Sequence, residues 1–358
     1  MDLLRLAGAP GVGKSTTAWA VARRFAGNEV ATGYVDTDQL GMCYPAPDDD
    51  KDRWALKERA LACIAEEFRQ VGADRLIVSG VAWPDDPPPQ IGGISVQSLW
   101  LDASTETRRE RLGARRIRDD QLTQILSAGT AEAGRVNPAW ERIDTDDLSE
   151  AETVEKVLAR VQPVTSHKSH VSAFPLAEPA ASSADRILWI TGPRLAGASR
   201  IGWEIVSHEW NAGRRAGFVD LAQLSFAWNI SMSVGLANLA RVYRTFRDVG
   251  TRRLVIVAPF EFEPSAVRAA LPASEVSFVR LAPSAADLRA HALDRRRGDG
   301  PMLAGDDVLG ATDAAIDRVL RTADAQRSRP CRQDELSVDT RDLSLRDAEA
   351  AVRNAVGW

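Results

Sequence analysis

Eight residues near the start of the chain, Gly8-Ala9-Pro10-Gly11-Val12-Gly13-Lys14-Ser15, have the types and spacing needed to hold a chain of phosphates. They satisfy G-x-x-x-x-G-K-[ST], and they stand in the required context, after the apolar run LLRLA and before a helical pattern. Gly8, Gly11 and Gly13 let the backbone turn tightly, so that the N–H groups from Ala9 and Val12 onward, with the positive end of the next helix, point at anionic oxygens. Lys14 would bridge the outer two phosphates, the Ser15 hydroxyl would ligate Mg²⁺, and Thr16 would donate to the innermost phosphate. The expectation is a nucleoside triphosphate site. Preference for ATP over GTP is not read from these residues, and an ordinary glycine-rich turn capped by Ser15 is the bland alternative.

A second set of reactive groups follows at the end of the next apolar run, Gly33-Tyr34-Val35-Asp36-Thr37-Asp38-Gln39-Leu40. No N-K-x-D and no L-S-G-G-Q occurs, and the run RLIVSG ends in Ser79 and Gly80 rather than in an acidic residue, so the chain is poorly equipped as a dedicated hydrolase. Asp36 and Asp38 are expected to turn differently at the strand end, which favours two roles over one shared role. Capping of the next helix by either aspartate is the competing reading.

GAPGVGKST followed by YVDTDQL resembles the small-molecule P-loop kinases, the group that holds shikimate kinase, gluconate kinase, adenylylsulfate kinase and chloramphenicol phosphotransferase. The resemblance runs in element order over most of residues 1–162, and the P-loop and D-x-D are its specific parts. It implies an ATP-dependent phosphotransferase in which Asp36 holds the Mg²⁺ water shell and Asp38 orients, and deprotonates, a small-molecule hydroxyl. It further implies a lid helix in LWLDASTETRRERLGARR, where Arg111 matches a nucleotide contact and Arg115 or Arg116 matches the arginine that offsets charge on the transferring phosphoryl group. Asp144 and Thr145 match the segment that passes under the adenine. Tyr44, Arg53 and Arg59, in the variable stretch after Asp38, are the acceptor-binding candidates, and the acidic PAPDDDKD and proline-rich WPDDPPPQIGG segments are candidate loops at the pocket mouth.

The elements that must position these groups alternate. LLRLA, VATGYVD, RLIVSG and SLWLD suit buried parallel strands, and TTAWAVARRFA, DRWALKERALACIAEEFRQV and STETRRERLGARR carry helical apolar spacing. Ser149 and Glu152 stand at capping-box spacing before a last helix. The fold class predicted is α/β, a parallel sheet sandwiched by helices.

The pattern then recurs. Leu3 to Leu40 laid ungapped over residues 184 positions later gives ten identities in 38 positions, Gly8/Gly192, Ser15/Ser199 and Asp36/Asp220 among them. FRQVGADRLIVSG (68–80) matches FRDVGTRRLVIVA (246–258), SLWLDASTETRRERLGARR matches SFVRLAPSAADLRAHALDRRR, and IDTDDLSEAE matches VDTRDLSLRD. Two full-sized copies indicate a tandem duplication, with a catalytic P-loop kinase-like domain at 1–162, a Pro/Ser/Ala-rich linker at 163–184 and a second domain at 185–358. In that second copy Lys14 becomes Ala198, Thr16 becomes Arg200, Asp38 becomes Ala222 and Asp102 becomes Ala282. It is expected to be a pseudo-kinase that packs on the first domain as an intramolecular pseudo-dimer, with Arg200 able to hold an anion.

The bulk numbers fit. The 358 residues carry a net charge of -5, which offers no field for nucleic acid or an anionic membrane. Three cysteines, Cys43, Cys63 and Cys331, have neither disulfide-framework nor zinc spacing. The start resembles no signal peptide, and a cytoplasmic protein with a small-molecule partner, ATP and Mg²⁺ is expected. Two other functions fit the residues: a nucleotide-dependent regulatory or switch protein with no metabolite acceptor, and a nucleoside monophosphate kinase.

Overall fold

The computed structural model describes residues 1–113, 117–163, 185–230, 234–272, 274–301 and 303–358. In chain order the elements are β1 (Asp2–Ala7), α1 (Lys14–Gly27), β2 (Thr32–Asp36), a 3-10 turn (Thr37–Gly41), β3 (Cys43–Tyr44), α2 (Trp54–Gln70), β4 (Arg75–Ser79), β5 (Ser95–Asp102), α3 (Thr105–Gly113), α4 (Asp119–Ala133), β6 (Glu141–Asp144) and α5 (Glu150–Leu158). They continue with β7 (Asp185–Thr191), α6 (Ala198–Asn211), β8 (Ala216–Asp220), a 3-10 turn (Leu221–Leu224), β9 (Ala227–Trp228), α7 (Val234–Asp248), β10 (Arg253–Val257), α8 (Pro264–Ala270), β11 (Ser274–Ala282), α9 (Ala285–Arg296), α10 (Asp313–Arg327), β12 (Glu335–Asp339) and α11 (Leu345–Val356).

These elements form two compact units, and neither is contiguous in sequence. Unit 1 comprises Met1–Gly41, Arg53–Ala173 and Leu224–Val234; unit 2 comprises Met42–Asp52, Phe174–Gln223 and Gly235–Trp358. These bounds differ from the expected division at 162 and 185 by two short segments, 42–52 and 224–234. The expected linker falls, from residue 164 to 184, outside the described residues.

Unit 1 is a six-stranded sheet in the order β6-β5-β1-β4-β2-β9. All pairs are parallel except β2 with β9, where Thr32 opposes Trp228 and Gly33 opposes Ala227. The sheet is therefore mixed at one edge, and otherwise the parallel, helix-flanked arrangement expected. Its central strand is buried along its whole length, as a strand covered on both faces must be. Helix α1 lays Ala18, Val21 and Ala22 inward, and α5 begins with the Ser149/Glu152 capping box that the sequence shows.

The edge strand β9 is fixed by more than its ladder. Tyr34 N–H donates to the Phe226 carbonyl at 3.0 Å, and Asn229 Nδ2 donates to the Ala26 and Val30 carbonyls at 3.0 and 3.2 Å. The Trp19 ring lies 4.7 Å from Phe226, 5.3 Å from Trp228 and 5.3 Å from Tyr34, all edge-on. Close approach is allowed at Gly33, where a Cβ would run into the Phe68 ring.

Unit 2 has the matching order β12-β11-β7-β10-β8-β3, again parallel except for its edge strand, where Cys43 opposes Gly217 and Tyr44 opposes Ala216. Phe218 N–H donates to the Met42 carbonyl at 2.8 Å, Arg215 Nε donates to the Pro45 carbonyl at 2.9 Å, and the Tyr44 ring lies 4.8 Å from Trp210. Residues 42–45 and 226–229 are 184 positions apart, so the same segment of each half completes the sheet built mainly by the other half. Among the described residues no helix is long and apolar enough to cross a membrane.

Candidate active site

The C-terminal end of β1 opens directly into the glycine loop, the place where open α/β sheets bind ligands. Gly8, Gly11 and Gly13 hold φ of 143, 91 and 94°, values that side chains resist. Space is short as well: a Cβ on Gly8 would collide with the Leu101 carbonyl, and one on Gly11 would lie 3.0 Å from Leu112 Cγ. Gly13 is the left-handed N-cap of α1, so the first N–H groups of this 14-residue helix face the loop. Lys14 is largely buried and its Nζ donates to the Ala9 carbonyl at 3.0 Å, which folds the ammonium back over the loop. Thr16 is exposed at the helix start, as a group meant for a ligand must be.

Ser15 Oγ donates to Asp36 Oδ2 at 2.9 Å, joining the loop to the end of β2. The same oxygen accepts from Ser79 Oγ at 2.8 Å, and Asp36 Oδ1 accepts from the Asp38 N–H at 2.9 Å. Ser79 in turn lies 2.9 Å from the Tyr34 hydroxyl. Burial and the charge of Asp38 push the Asp36 carboxyl above the usual carboxylate range, and the three donors pull it part of the way back. Burial and the charge of Asp36 also push the Tyr34 phenol up, so it stays a neutral donor. The donors fit a hard divalent cation: a hydroxyl and an adjoining carboxylate, at the mouth of a glycine-lined cradle.

Asp38 lies in the 3-10 turn after β2. Its Oδ1 accepts from Lys57 Nζ at 3.0 Å, and its side chain is 48% exposed while that of Lys57 is 8% exposed. Strand alternation would set residues two apart on one face; Asp36 turns to Ser15 and Asp38 to α2 because β2 ends at Asp36 and the 3-10 turn begins at Thr37.

On the opposite side of the loop, Arg111 of α3 donates to the Val12 carbonyl at 3.3 Å, to Thr145 Oγ1 at 3.0 Å and to the Thr145 carbonyl at 2.8 Å. Thr145 is fully buried, and its hydroxyl donates to the Asp102 carbonyl at 2.9 Å. Arg111, Val12 and Thr145 thus form one cluster at the loop. Asp144 behaves as a turn former, with Oδ1 accepting from the Asp146 N–H at 2.9 Å. Arg115 and Arg116 lie outside the described residues.

The acceptor candidates separate. Tyr44 belongs to unit 2: the chain leaves unit 1 after Gly41 and returns at Arg53, and Tyr44 lies in the edge strand of unit 2 against Trp210. The acidic segment 45–52 goes with it. Arg53 caps the start of α2 in a left-handed conformation with φ 59°, and its carbonyl accepts from the Lys57 N–H at 2.9 Å. Arg59 is exposed on α2.

Four further residues join the site. Ser79 and Tyr34 brace Asp36, and Lys57 braces Asp38. Arg108, almost fully buried, donates from Nε to the Pro10 carbonyl at 2.9 Å and from Nη2 to the Ile125 carbonyl at 3.2 Å, tying the loop to α4. The sequence signal for Ser79 is its place at the end of β4, where P-loop hydrolases carry an acidic residue.

Unit 2 keeps part of this geometry. Gly197 holds φ 84°, and Leu195, where unit 1 has Gly11, holds φ 68°. Ser199 Oγ donates to Asp220 Oδ2 at 3.0 Å, and burial raises the Asp220 carboxyl to about 6. A cavity of about 790 Å³ spans this loop, Asp220 and Thr340. Position 198 is alanine, and Arg200, the anion-binding candidate, is engaged by Asp299 at 3.0 Å.

No family model matches the chain, and neither does any curated protein sequence. Among solved structures it is similar to a gluconokinase from Sinorhizobium meliloti, at 15% identity and a TM-score of 0.33, over 48% of this chain and 92% of that one. A sugar kinase from a Janibacter species is similar at 22% identity and a TM-score of 0.32, over 44% of this chain and 93% of that one.

Proposed function

We propose that unit 1 is an ATP-dependent phosphotransferase that moves the γ-phosphate to a hydroxyl of a small molecule, and that unit 2 is a degenerate copy of it. The observation that carries this reading is the pair of carboxylates at one strand end. Asp36 is bonded to the P-loop serine, and Asp38, two residues on, is turned elsewhere and left half exposed. A protein that only bound nucleotide would need the first carboxylate alone.

Lys14, folded over the glycine loop, is placed to neutralise the outer phosphates, and the loop N–H groups and the α1 N-terminus add donors that need no rearrangement. Ser15 and Asp36 would hold Mg²⁺, which supplies charge neutralisation on the phosphates. Asp38 would accept the hydrogen bond of the incoming hydroxyl and take its proton as the new O–P bond forms. Unit 2 retains the serine–aspartate pair but has Ala198 and Ala222 in place of Lys14 and Asp38, so it lacks both the phosphate clamp and the acceptor base.

The test is Asp38→Asn in the full chain, assayed with labelled ATP against fractions of a metabolite extract. ATP binding is expected to survive while acceptor-dependent ADP release is lost. Slow ADP release that no fraction stimulates, equal in native and variant chains, would instead identify a nucleotide switch.

A further inference from the structure

Lys57 is the one strongly buried lysine of α2, only 7% exposed as a residue. Burying an ammonium group is costly unless a partner of opposite charge meets it. Here the partner is Asp38, with Nζ to Oδ1 at 3.0 Å, and the ammonium lies 5.3 Å from the centre of the Trp54 ring. The stem of the lysine runs across Gly41, where a Cβ would come within 2.6 Å of Lys57 Cε and 2.9 Å of its Cγ. The lysine thus reaches Asp38 because position 41 has no side chain.

The repeat shows what these three residues are kept for. At the offset of 184, Asp38 corresponds to Ala222 and Gly41 to Ser225; at the offset of 178 set by Phe68 and Phe246, Lys57 corresponds to Gly235. The carboxylate, the lysine and the glycine that admits it are absent together from the copy that also lacks Lys14. The serine–aspartate pair, the left-handed glycine before the helix and the strand order remain in that copy. A lysine retained only to brace the turn after β2 would have been as useful in unit 2, which has the same turn at Leu221–Leu224.

We propose that Lys57 is a positioning residue: with Gly41 it fixes the Asp38 carboxylate so that one oxygen is committed to the ammonium and the exposed remainder faces the incoming acceptor. The proposal rests on the phosphotransferase reading of unit 1. It also explains why a carboxylate on a short turn, rather than on a strand, holds one orientation.

The test uses the full chain as native protein and as Lys57→Met, Lys57→Arg and Asp38→Asn variants. It measures labelled-ATP transfer to the active metabolite fraction, with ATP affinity from calorimetry. Lys57→Met is expected to lower kcat about ten- to hundred-fold, as loss of orientation at a reacting group does. KM and affinity for ATP should stay within about two-fold, since the interaction serves the transition state. Lys57→Arg, which keeps the charge, should recover most of the rate. A Lys57→Met enzyme at native rate beside a dead Asp38→Asn enzyme would overturn the positioning role and leave the phosphotransferase intact. So would a parallel fall in ATP affinity and rate, which would mark Lys57 as a support of the fold. Absence of transfer by the native chain to every fraction would defeat the phosphotransferase reading, and this inference with it.

Discussion

Phe226 belongs to the second half of the sequence, yet its ring packs on Trp19 at 4.7 Å and on Tyr34 at 5.9 Å in the sheet of the first half. Replacing it with alanine removes two edge-on aromatic pairs, each worth about 0.5–1.5 kcal/mol. It also removes part of the burial of a ring, a loss of about 3–5 kcal/mol for a fully buried phenylalanine and less for this half-buried one. The backbone bond from Tyr34 N–H to the Phe226 carbonyl is kept, so a cost of roughly 2–3 kcal/mol is expected from the side chain alone. At about 1.4 kcal/mol per tenfold, amide exchange through unfolding of β2 and β4 should speed up by roughly thirty- to a hundred-fold, read by mass spectrometry on peptides covering 32–36 and 75–79. Peptides covering 216–220 and 253–257, in unit 2, should be unaffected. Tyr44→Ala should do the reverse, loosening 216–220 and sparing 32–36. If Phe226→Ala loosened the unit 2 strands and left β2 protected, the exchange of segments would be wrong and two contiguous domains would be the correct description.

Two further outcomes follow from the carboxylates. Ser79→Ala removes one donor from Asp36 and the partner of the buried Tyr34 hydroxyl; Mg²⁺-dependent ATP affinity should fall about five- to thirty-fold, or ~1–2 kcal/mol, and should recover as pH rises because the Asp36 proton must leave first, whereas calorimetry showing native affinity at every pH would refute the bracing role. Asp220, with its carboxyl raised from 3.8 to about 6, holds its proton more tightly folded than unfolded. Its contribution is full below pH 4 and is lost as pH rises to 6, about 3 kcal/mol in all, so urea unfolding of unit 2 across that window should flatten in Asp220→Asn and would contradict the buried environment if it did not.

The sequence makes the sheet readable because its central strands are buried: LLRLA, RLIVSG and SLWLD carry short, mostly apolar runs of strand length. It makes the loop readable because glycine adopts the positive φ values at positions 8, 11 and 13 without the strain a side chain would bring. The exchanged strands were not legible. Cys43–Tyr44 and Ala227–Trp228 are two residues long, too short for periodicity to register, and their partners are chosen by packing of Trp19 and Trp210 rather than by local pattern. Nothing in the sequence around Tyr44 therefore marks it as the edge-strand aromatic it is. Lys57 was invisible for a different reason: a lysine at helical spacing reads as a solvated face, and only the missing Cβ of Gly41, distant in sequence, turns it inward.

The two units also discriminate between loop geometry and chemistry. Ser15–Asp36 and Ser199–Asp220 are nearly the same hydrogen bond, 2.9 and 3.0 Å, on the same loop and strand end. That pair cannot by itself signify phosphoryl transfer, since it recurs where the lysine and the acceptor carboxylate are alanines. Leu195 sharpens the point. A leucine held at φ 68° costs roughly 1–2 kcal/mol, yet the loop keeps its turn, so the sheet and helix around it hold the turn against that cost. What separates unit 1 from a scaffold of the same shape therefore includes three charged groups, Lys14, Asp38 and Lys57. The first would clamp a triphosphate, and the other two are joined by an ion pair that nucleotide binding does not require.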